Sequence, residues 1–281
     1  MNTGSQKEKA RQFRELHHSG NMLVLPNIWD TLGALLMESL EYSAIATASA
    51  SIAFSNGYND GQNIPFNDLL ILLKRITTSV NLPVTADIEG GYTDNDIELQ
   101  ENIKLLIGTG IAGINFEDTD HTTRTLRSAE SQCNKIRLIR KVAGELDIPL
   151  FINARTDVYL HEKDFTSPGT ISDEIIERGL AYQDAGADGF FPIALKQEEE
   201  IKKIISRVKL PVNILAIQGI PDLKTLHKLG VARVSLGPSL LKIAIRAMKT
   251  LAIELKEYEG LSSITGNEIT TDYLKRLVSK S

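Results

Sequence analysis

"VTADIEGGYTD", residues 84–94, decides how the chain is read. Val84 and Ala86 continue an apolar run entered through Leu82-Pro83; Asp87 and Glu89 then flank Ile88, and Gly90-Gly91 ends the run. A buried strand that finishes on two carboxylates one step before a turn puts acid at the rim of a sheet. Seven further runs share its apolar, non-alternating character: "MLVLP" (22–26), "SAIATAS" (43–49), "AGINFED" (112–118), "IPLFINAR" (148–155), "ADGFFPI" (187–193), "LPVNIL" (210–215) and "VARVSLG" (231–237). Such runs belong to parallel strands covered on both faces. Helical spacing fills the intervals, as at Ile136, Ile139, Ala143 and Leu146, and again at Leu241, Ala244, Met248, Leu251 and Leu255. Pro83, Pro149 and Pro211 stop a helix and preset the extended entry to a strand, while Gly110, Gly186 and Gly230 serve as helix C-caps before three others. Eight strand–helix units in about 250 residues predict an α/β fold, a single closed (β/α)8 barrel of the TIM type; an open doubly wound sheet is the alternative. No linker divides the chain, so one domain is expected over 1–281, with an N-terminal helix at about 5–19 and a helical extension at about 260–281. In that extension Tyr273, Leu274 and Leu277 are spaced to pack on another surface, for which a neighbouring subunit is a candidate.

The chain has 281 residues, 42% hydrophobic and 24% charged, the profile of a globule with a full core. A net charge of −5 provides no basic field for nucleic acid. The one cysteine, Cys133, excludes an internal disulfide and a cysteine-based zinc cluster; it is expected to be inert and buried or half buried. The polar N-terminus lacks the apolar core of a signal peptide, and no run approaches the roughly 18 residues of a membrane span. A cytoplasmic protein with neither nucleic acid nor membrane as partner is expected.

In a barrel of this type chemistry gathers at the C-terminal ends of the strands. There the sequence places Asn27 and Asp30, Ser49 and Ser51, Asp87 and Glu89, Glu117 and Asp118, Arg155 and Asp157, and Asn213 on strand seven; only strand six, with "FFPI", brings no charge. Carboxylates converging on one mouth repel each other and lose hydration unless a cation neutralises them. Mg2+ (or Mn2+) with oxygen ligands is the expected cofactor, and Arg155 is left to grip an anionic substrate with its two-pronged guanidinium. Plainer readings apply to several of these residues. Asp118 and Asp157 suit helix caps, and Arg155 could pair with Asp157 at the surface. His17, His18 and His227 are expected to be solvated, whereas His121 and His161 fall in loops at the active end. "GPSLL" (237–241) either begins helix eight or anchors an anion on its first amides.

These residues resemble the isocitrate lyase/phosphoenolpyruvate mutase superfamily over most of the chain. The resemblance is carried by "NIWDTLGALLMESLEYSAIATASASIAFSNGYND", "VTADIEGGY", "GINFEDT", "NARTDVYL", "GADGFFP" and "PVNILA", in the family's order. It implies a (β/α)8 barrel whose last helix is exchanged between subunits of a homo-oligomer (dimer or tetramer). It also implies Mg2+ and substrates that are 2-oxo or 2-hydroxy acids or their phosphonate analogues, with a C–C or P–C bond made or broken next to a metal-held enolate. By resemblance Asp60 is the aspartate of the long loop after strand two. Ala48-Ser49-Ala50-Ser51 is the segment that holds substrate carboxylate, Asp87 and Glu117 are metal-site carboxylates, and Arg155 is the carboxylate-binding arginine; Asn213 joins the substrate-binding set.

Three departures shape the functional expectation. Where the family writes Asp-Ala-Asp on strand three, this chain is aligned as Thr85-Ala86-Asp87, and Glu89 is taken to replace the missing metal carboxylate. The lyases' Lys-Lys/Arg-Cys-Gly-His motif is absent from "DTDHTTRTLRSAESQCNKI" (118–136), which argues against isocitrate or methylisocitrate cleavage. The mutases' Lys-Thr-Asn-Ser run is absent too, with His121, Thr122 and Arg124 at that gate. The expectation is a metal-dependent lyase that decarboxylates, or cleaves by retro-aldol, a small 2-oxo or 2-hydroxy acid, with Asp60, His121 and Arg155 as its catalytic set. P–C chemistry on a phosphonopyruvate-like acid, served by Arg124 or Arg127, is one alternative. A non-catalytic binder of 2-oxo acids is the other.

Overall fold

A computed structural model describes residues 3–165 and 168–279. Eight parallel strands form the frame: β1 (Leu23–Leu25, continued as Asn27–Ile28), β2 (Ile45–Thr47), β3 (Val84–Asp87), β4 (Gly113–Glu117), β5 (Phe151–Thr156), β6 (Gly189–Pro192), β7 (Asn213–Leu215) and β8 (Arg233–Ser235). Pro26 interrupts β1 because it has no N–H to give. The first half of β1 pairs with β8 (Leu23 with Arg233) and the second with β2 (Asn27 with Ala46). From β2 the ladder runs unbroken to β6, with Asp87 opposite Asn115 and Glu117 opposite Arg155. A single parallel bridge, Phe190 with Val212, joins β6 to β7, and β7 pairs with β8, so the ring closes. Alternation along each strand then sorts the side chains. On β4, Ile114 and Phe116 enter the layer under the helices, while Asn115 and Glu117 turn into the barrel.

The helix Thr3–His18 seals the N-terminal end of the barrel. Phe13 meets Phe151 edge-on at 5.3 Å, and His17 stacks on Phe151 at 4.1 Å. Gln6 Nε2 donates to Ile107 O (2.8 Å) and Ile111 O (2.9 Å). The expectation of a solvated His17 is corrected. Its ring is buried, Nδ1 donates to Phe13 O at 2.8 Å, and burial pushes its pKa down to about 3, so it is neutral. The helix is amphipathic about Ala10, Phe13 and His17, and the polar residues around them hid that face from a reading by charge.

The C-terminal extension forms Leu261–Thr265 and Thr271–Val278; from the latter Leu277 packs among Ile28, Leu35, Val80 and Val84. The helix Ser239–Lys256 behaves differently. None of its residues is buried, and Ile243, Ile245, Met248, Ile253 and Leu255 are all exposed. The apolar stripe through Leu241, Ala244 and Leu251 is present, but within one chain nothing covers it fully.

Replacing Phe151 with Ala removes the ring on which both Phe13 and His17 rest. The urea unfolding midpoint is expected to fall by the equivalent of about 3–5 kcal/mol. An unchanged midpoint would show that the N-terminal helix contributes no packing to the barrel.

Candidate active site

The chain turns sharply at the end of β3. After Asp87 the backbone enters the left-handed region at Glu89 (φ 51°), Gly91 (φ 91°) and Tyr92 (φ 63°), and a non-glycine residue held there signals a constrained site. Gly91 is required by contact as well as by conformation, and Gly90 is closely approached by side chains. A Cβ on Gly90 would lie 3.1 Å from His121 Cδ2 and 3.2 Å from Arg127 Nη2, and one on Gly91 would lie 2.6 Å from Leu99 Cδ1. Glu89 O accepts from Glu117 N at 3.0 Å, which ties the turn to the end of β4. The Glu89 side chain is thereby buried over the barrel mouth, where Oε2 accepts from Gln62 N at 2.7 Å.

Ligand atoms of Glu89, Glu117 and His121 lie within 4.8 Å of one another. His121 Nε2 is 2.7 Å from Glu117 Oε1 and 3.9 Å from Glu89 Oε2. Arg155 Nη1 reaches the other Glu117 oxygen at 2.6 Å. Its Nε and Nη2 form a fork on Asp157 at 2.6 and 3.1 Å, and Thr119 Oγ1 donates to Asp157 at 2.6 Å. Asp87 Oδ2 accepts from Ser49 Oγ (2.7 Å) and Ser49 N (3.3 Å). Burial, reinforced by Asp87, Glu117 and Asp60, pushes Glu89 up to about 9. Glu117 is raised by burial although Arg155 pulls against it, and Asp60 is raised by burial and by Asp87. Burial disfavours the Arg155 cation, yet Asp157, Glu117 and Asp87 together hold its pKa above the usual value. Carboxylates displaced upward in this way lack positive charge, and an oxygen-rich set of this size fits a divalent cation.

The cleft has two adjoining lobes. A polar one of about 220 Å3 is lined by Glu89, Glu117, Thr119, His121, Asp157 and His161. The other, about 240 Å3, mixes Asp87, Asn27 and Asn115 with Leu160, Phe191, Ile193, Leu215 and Pro238. Ser49, Asp60 and Arg155 face both. Of the residues named from sequence, Asp60, Ser49, Ala50, Asp87, Glu89, Glu117, His121 and Arg155 therefore surround one space. Ser51 and Asn213 do not line it. Ser51 faces inward from the helix Ser49–Ser55 with Oγ unpartnered, and Asn213 lies beneath the floor, accepting from Ser235 Oγ at 3.0 Å. Thr85 is also buried below, opposite Gly113. The acids that the end of β3 brings to the cleft are thus Asp87 and Glu89.

Arg155 does pair with Asp157, but in the cleft rather than at the surface. Asp30 caps the helix Thr31–Ser39 by accepting from Gly33 N at 2.6 Å. Asp118 is not a cap: fully buried, it accepts from Thr156 Oγ1, Asp157 N, Arg178 Nη1 and Tyr182 Oη. Cys133 is buried in the helix Ala129–Glu145, outside the cleft. Sequence reading missed Asn115, Ser235 and Arg233. The available signal was alternation, since each lies two residues from an inward-facing neighbour on the same strand.

A closed parallel barrel with an acid-lined C-terminal mouth defines an enzyme of the TIM-barrel class. Residues 13–256 match the family model described as phosphoenolpyruvate phosphomutase, and the chain belongs to that family. An uncharacterized protein of Mycobacterium tuberculosis is 33% identical over 227 residues, covering 80% of this chain and 81% of its own. The oxaloacetate decarboxylase of Pseudomonas putida is 28% identical over 253 residues, covering 88% and 84%. A solved structure from Burkholderia cenocepacia J2315, provisionally named as a lyase/mutase, superposes with a TM-score of 0.87 at 30% identity over 97% of this chain and 96% of that one. Lyases and mutases are thus this chain's relatives, and its site is that of a lyase-like enzyme.

The raised Glu89 carboxyl fixes a sign. A group protonated in the folded state and ionised in the unfolded state contributes stability that is lost as pH rises through its folded value. Metal-free protein should therefore show a thermal midpoint that declines between pH 6 and 9, and Glu89→Gln should flatten that decline. A slope unaffected by Glu89→Gln would remove this carboxyl from the strained cluster.

Proposed function

We propose that the chain is a divalent-metal-dependent lyase that breaks a C–C bond, by decarboxylation or retro-aldol cleavage, in a small 2-oxo or 2-hydroxy carboxylic acid. The observation that carries this reading is the meeting of Asp60, Asp87, Glu89 and Glu117 around one cleft in which Arg155 is the only arginine or lysine among the described lining residues. Asp87, Glu89 and Glu117 would hold Mg2+ (or Mn2+), while His121, whose ring nitrogen lies within 4.8 Å of Glu89 and Glu117 oxygens, would stay off the ion. When bound, such a cation polarises the acid's 2-oxygen and stabilises the negative charge left by the departing carbon.

The chain's own groups supply the rest. Ser49 and the adjoining Ala50 face the acid from one side. Arg155, steadied by Asp157, presents charge to a carboxylate while sharing Glu117. Asp60 reaches both lobes from the loop after β2. His121 Nε2, paired with Glu117, is positioned to return the proton that the product requires. The hairpin Thr119–Asp120/Thr125–Leu126 stands over the polar lobe and would exclude water. No cysteine is needed for this chemistry, in keeping with the absent motif. The phosphonate alternative lacks a cation of its own: Arg127 is tied to Asp94 at 2.5 Å and to Glu117 O, and neither Arg124 nor Arg127 lines either lobe.

The same reading treats 1–281 as one cytoplasmic barrel domain working as a homo-oligomer. Among the described residues no helix is long and apolar enough to cross a membrane. The uncovered stripe of Ser239–Lys256 would lie on the partner subunit, exchanged between the two.

Incubation with Mg2+ and a panel of 2-oxo and 2-hydroxy di- and tricarboxylates plus phosphonopyruvate should release pyruvate or a related 2-oxo acid from a carbon acid. Chelation should stop the release, and Asp87→Asn should lower it at least a hundredfold. Phosphate release, or tight binding of an acid without turnover, would overturn the reading. Separately, Met248→Glu should lower the mass measured by light scattering to that of a single chain; an unchanged mass would place the subunit contact elsewhere.

A further inference from the structure

Among the described residues Arg233 is the largest fully buried side chain, at 0% exposure, and it stands in the barrel below the cleft. Among the described residues it forms no ion pair within salt-bridge distance. Nε donates to Ser235 Oγ at 3.0 Å, Nη2 donates to Asn115 Oδ1 at 3.3 Å, and Nη1 has no partner. A buried, unpaired guanidinium is unfavourable for stability, so its place calls for a function.

That function lies in hydrogen-bond direction. Asn115 and Asn153 face each other at 2.9 Å. An amide pair of this kind is symmetric: either residue can turn its NH2 toward the other's oxygen. Arg233 breaks the symmetry because a guanidinium only donates. The Asn115 atom beside Nη2 must be oxygen, so Oδ1 accepts from both Arg233 Nη2 and Asn153 Nδ2. Among the described residues the Asn115 NH2 is then left without an acceptor, and Asn115 lines the cleft. Ser235 is set by the same device: accepting from Arg233, it sends its own proton to Asn213 Oδ1 at 3.0 Å, away from the cleft.

We infer that Arg233 is a positioning residue which, acting through Asn115, fixes an amide NH2 as a donor on the cleft floor for an oxygen of the bound acid. This rests on the reading that the cleft receives a 2-oxo or 2-hydroxy acid. Neither residue is part of the acidic cluster. The pair supplies a donor on the floor of an acid-lined cavity.

The test is a double-mutant cycle on full-length protein, with oxalate binding in the presence of Mg2+ measured by calorimetry. Asn115→Ala and Arg233→Met should each weaken binding about tenfold, the worth of one hydrogen bond to a charged group. The double variant should bind no worse than Asn115→Ala alone, and Arg233→Lys, which keeps a donor, should recover part of the loss. Losses that multiply in the double variant, or wild-type binding by Arg233→Met, would overturn the inference. A ligand-free readout separates this from the functional proposal. The side-chain amide resonances lost in Asn115→Ala should show exchange with water in the wild type, and should shift or split in Arg233→Met as the amide pair reverses. Resonances indifferent to Arg233→Met would overturn the inference even if oxalate binds. A wild type that ignores oxalate would sink the functional reading alone.

Discussion

One guanidinium holds the mouth of the barrel together. Arg155 bonds to Glu117 with one nitrogen and to Asp157 with two, and each of those carboxylates anchors something further. Glu117 takes His121, and Asp157 takes Thr119, so both sides of the hairpin's first strand are referred to the same cation. Acid in a low-dielectric site is unfavourable without compensation. Here the compensation is incomplete, as the raised pKa values of Glu89, Glu117 and Asp60 show. The site is thus built with a deficit of positive charge, and that deficit, more than any single residue, makes it a place where a cation and an acid meet.

The outer side of the same strand ends illustrates the opposite solution. Asp118 directly follows Glu117, yet it is satisfied by four donors, including Arg178 and Tyr182 from the helix Pro168–Asp184. Alternation by one residue separates a carboxylate completed by the protein from one that is not. The first locks helix to barrel, and the second is open to chemistry.

The barrel was legible in the sequence because parallel strands covered on both sides leave apolar runs, and because Leu-Pro-Val and Ile-Pro-Leu mark their entries. The mouth was legible because polar residues at strand ends have few other reasons to accumulate. Less could be seen where a residue's direction matters more than its position. Ser51 shares a segment with Ser49, but a short helix turns its hydroxyl inward. Asn213 sits one layer too low, at the level of Arg233. Thr85, set by pattern beside a metal aspartate, is buried opposite Gly113 and does not line the cleft. His17 was assigned to solvent because its neighbours are polar, whereas the ring it stacks on lies far along the chain at Phe151. The Ser51 miss is a matter of local helix direction; the others concern contacts between residues distant in sequence, which pattern alone does not encode.

The hairpin over the polar lobe is fixed at both roots. Thr119 is bonded to Asp157, and Arg127 N donates to Asp118 O while its carbonyl accepts from Arg178. Between these anchors the Asp120 carboxylate receives the amides of Thr122 and Thr123, and the chain reverses at Arg124. Its sweep is set by how many residues lie between two bolted posts, so the size of molecule it can roof over is written into its length. Adding residues between Asp120 and Thr125 would widen that roof and leave the posts untouched, a route by which one scaffold could be refitted to bulkier guests.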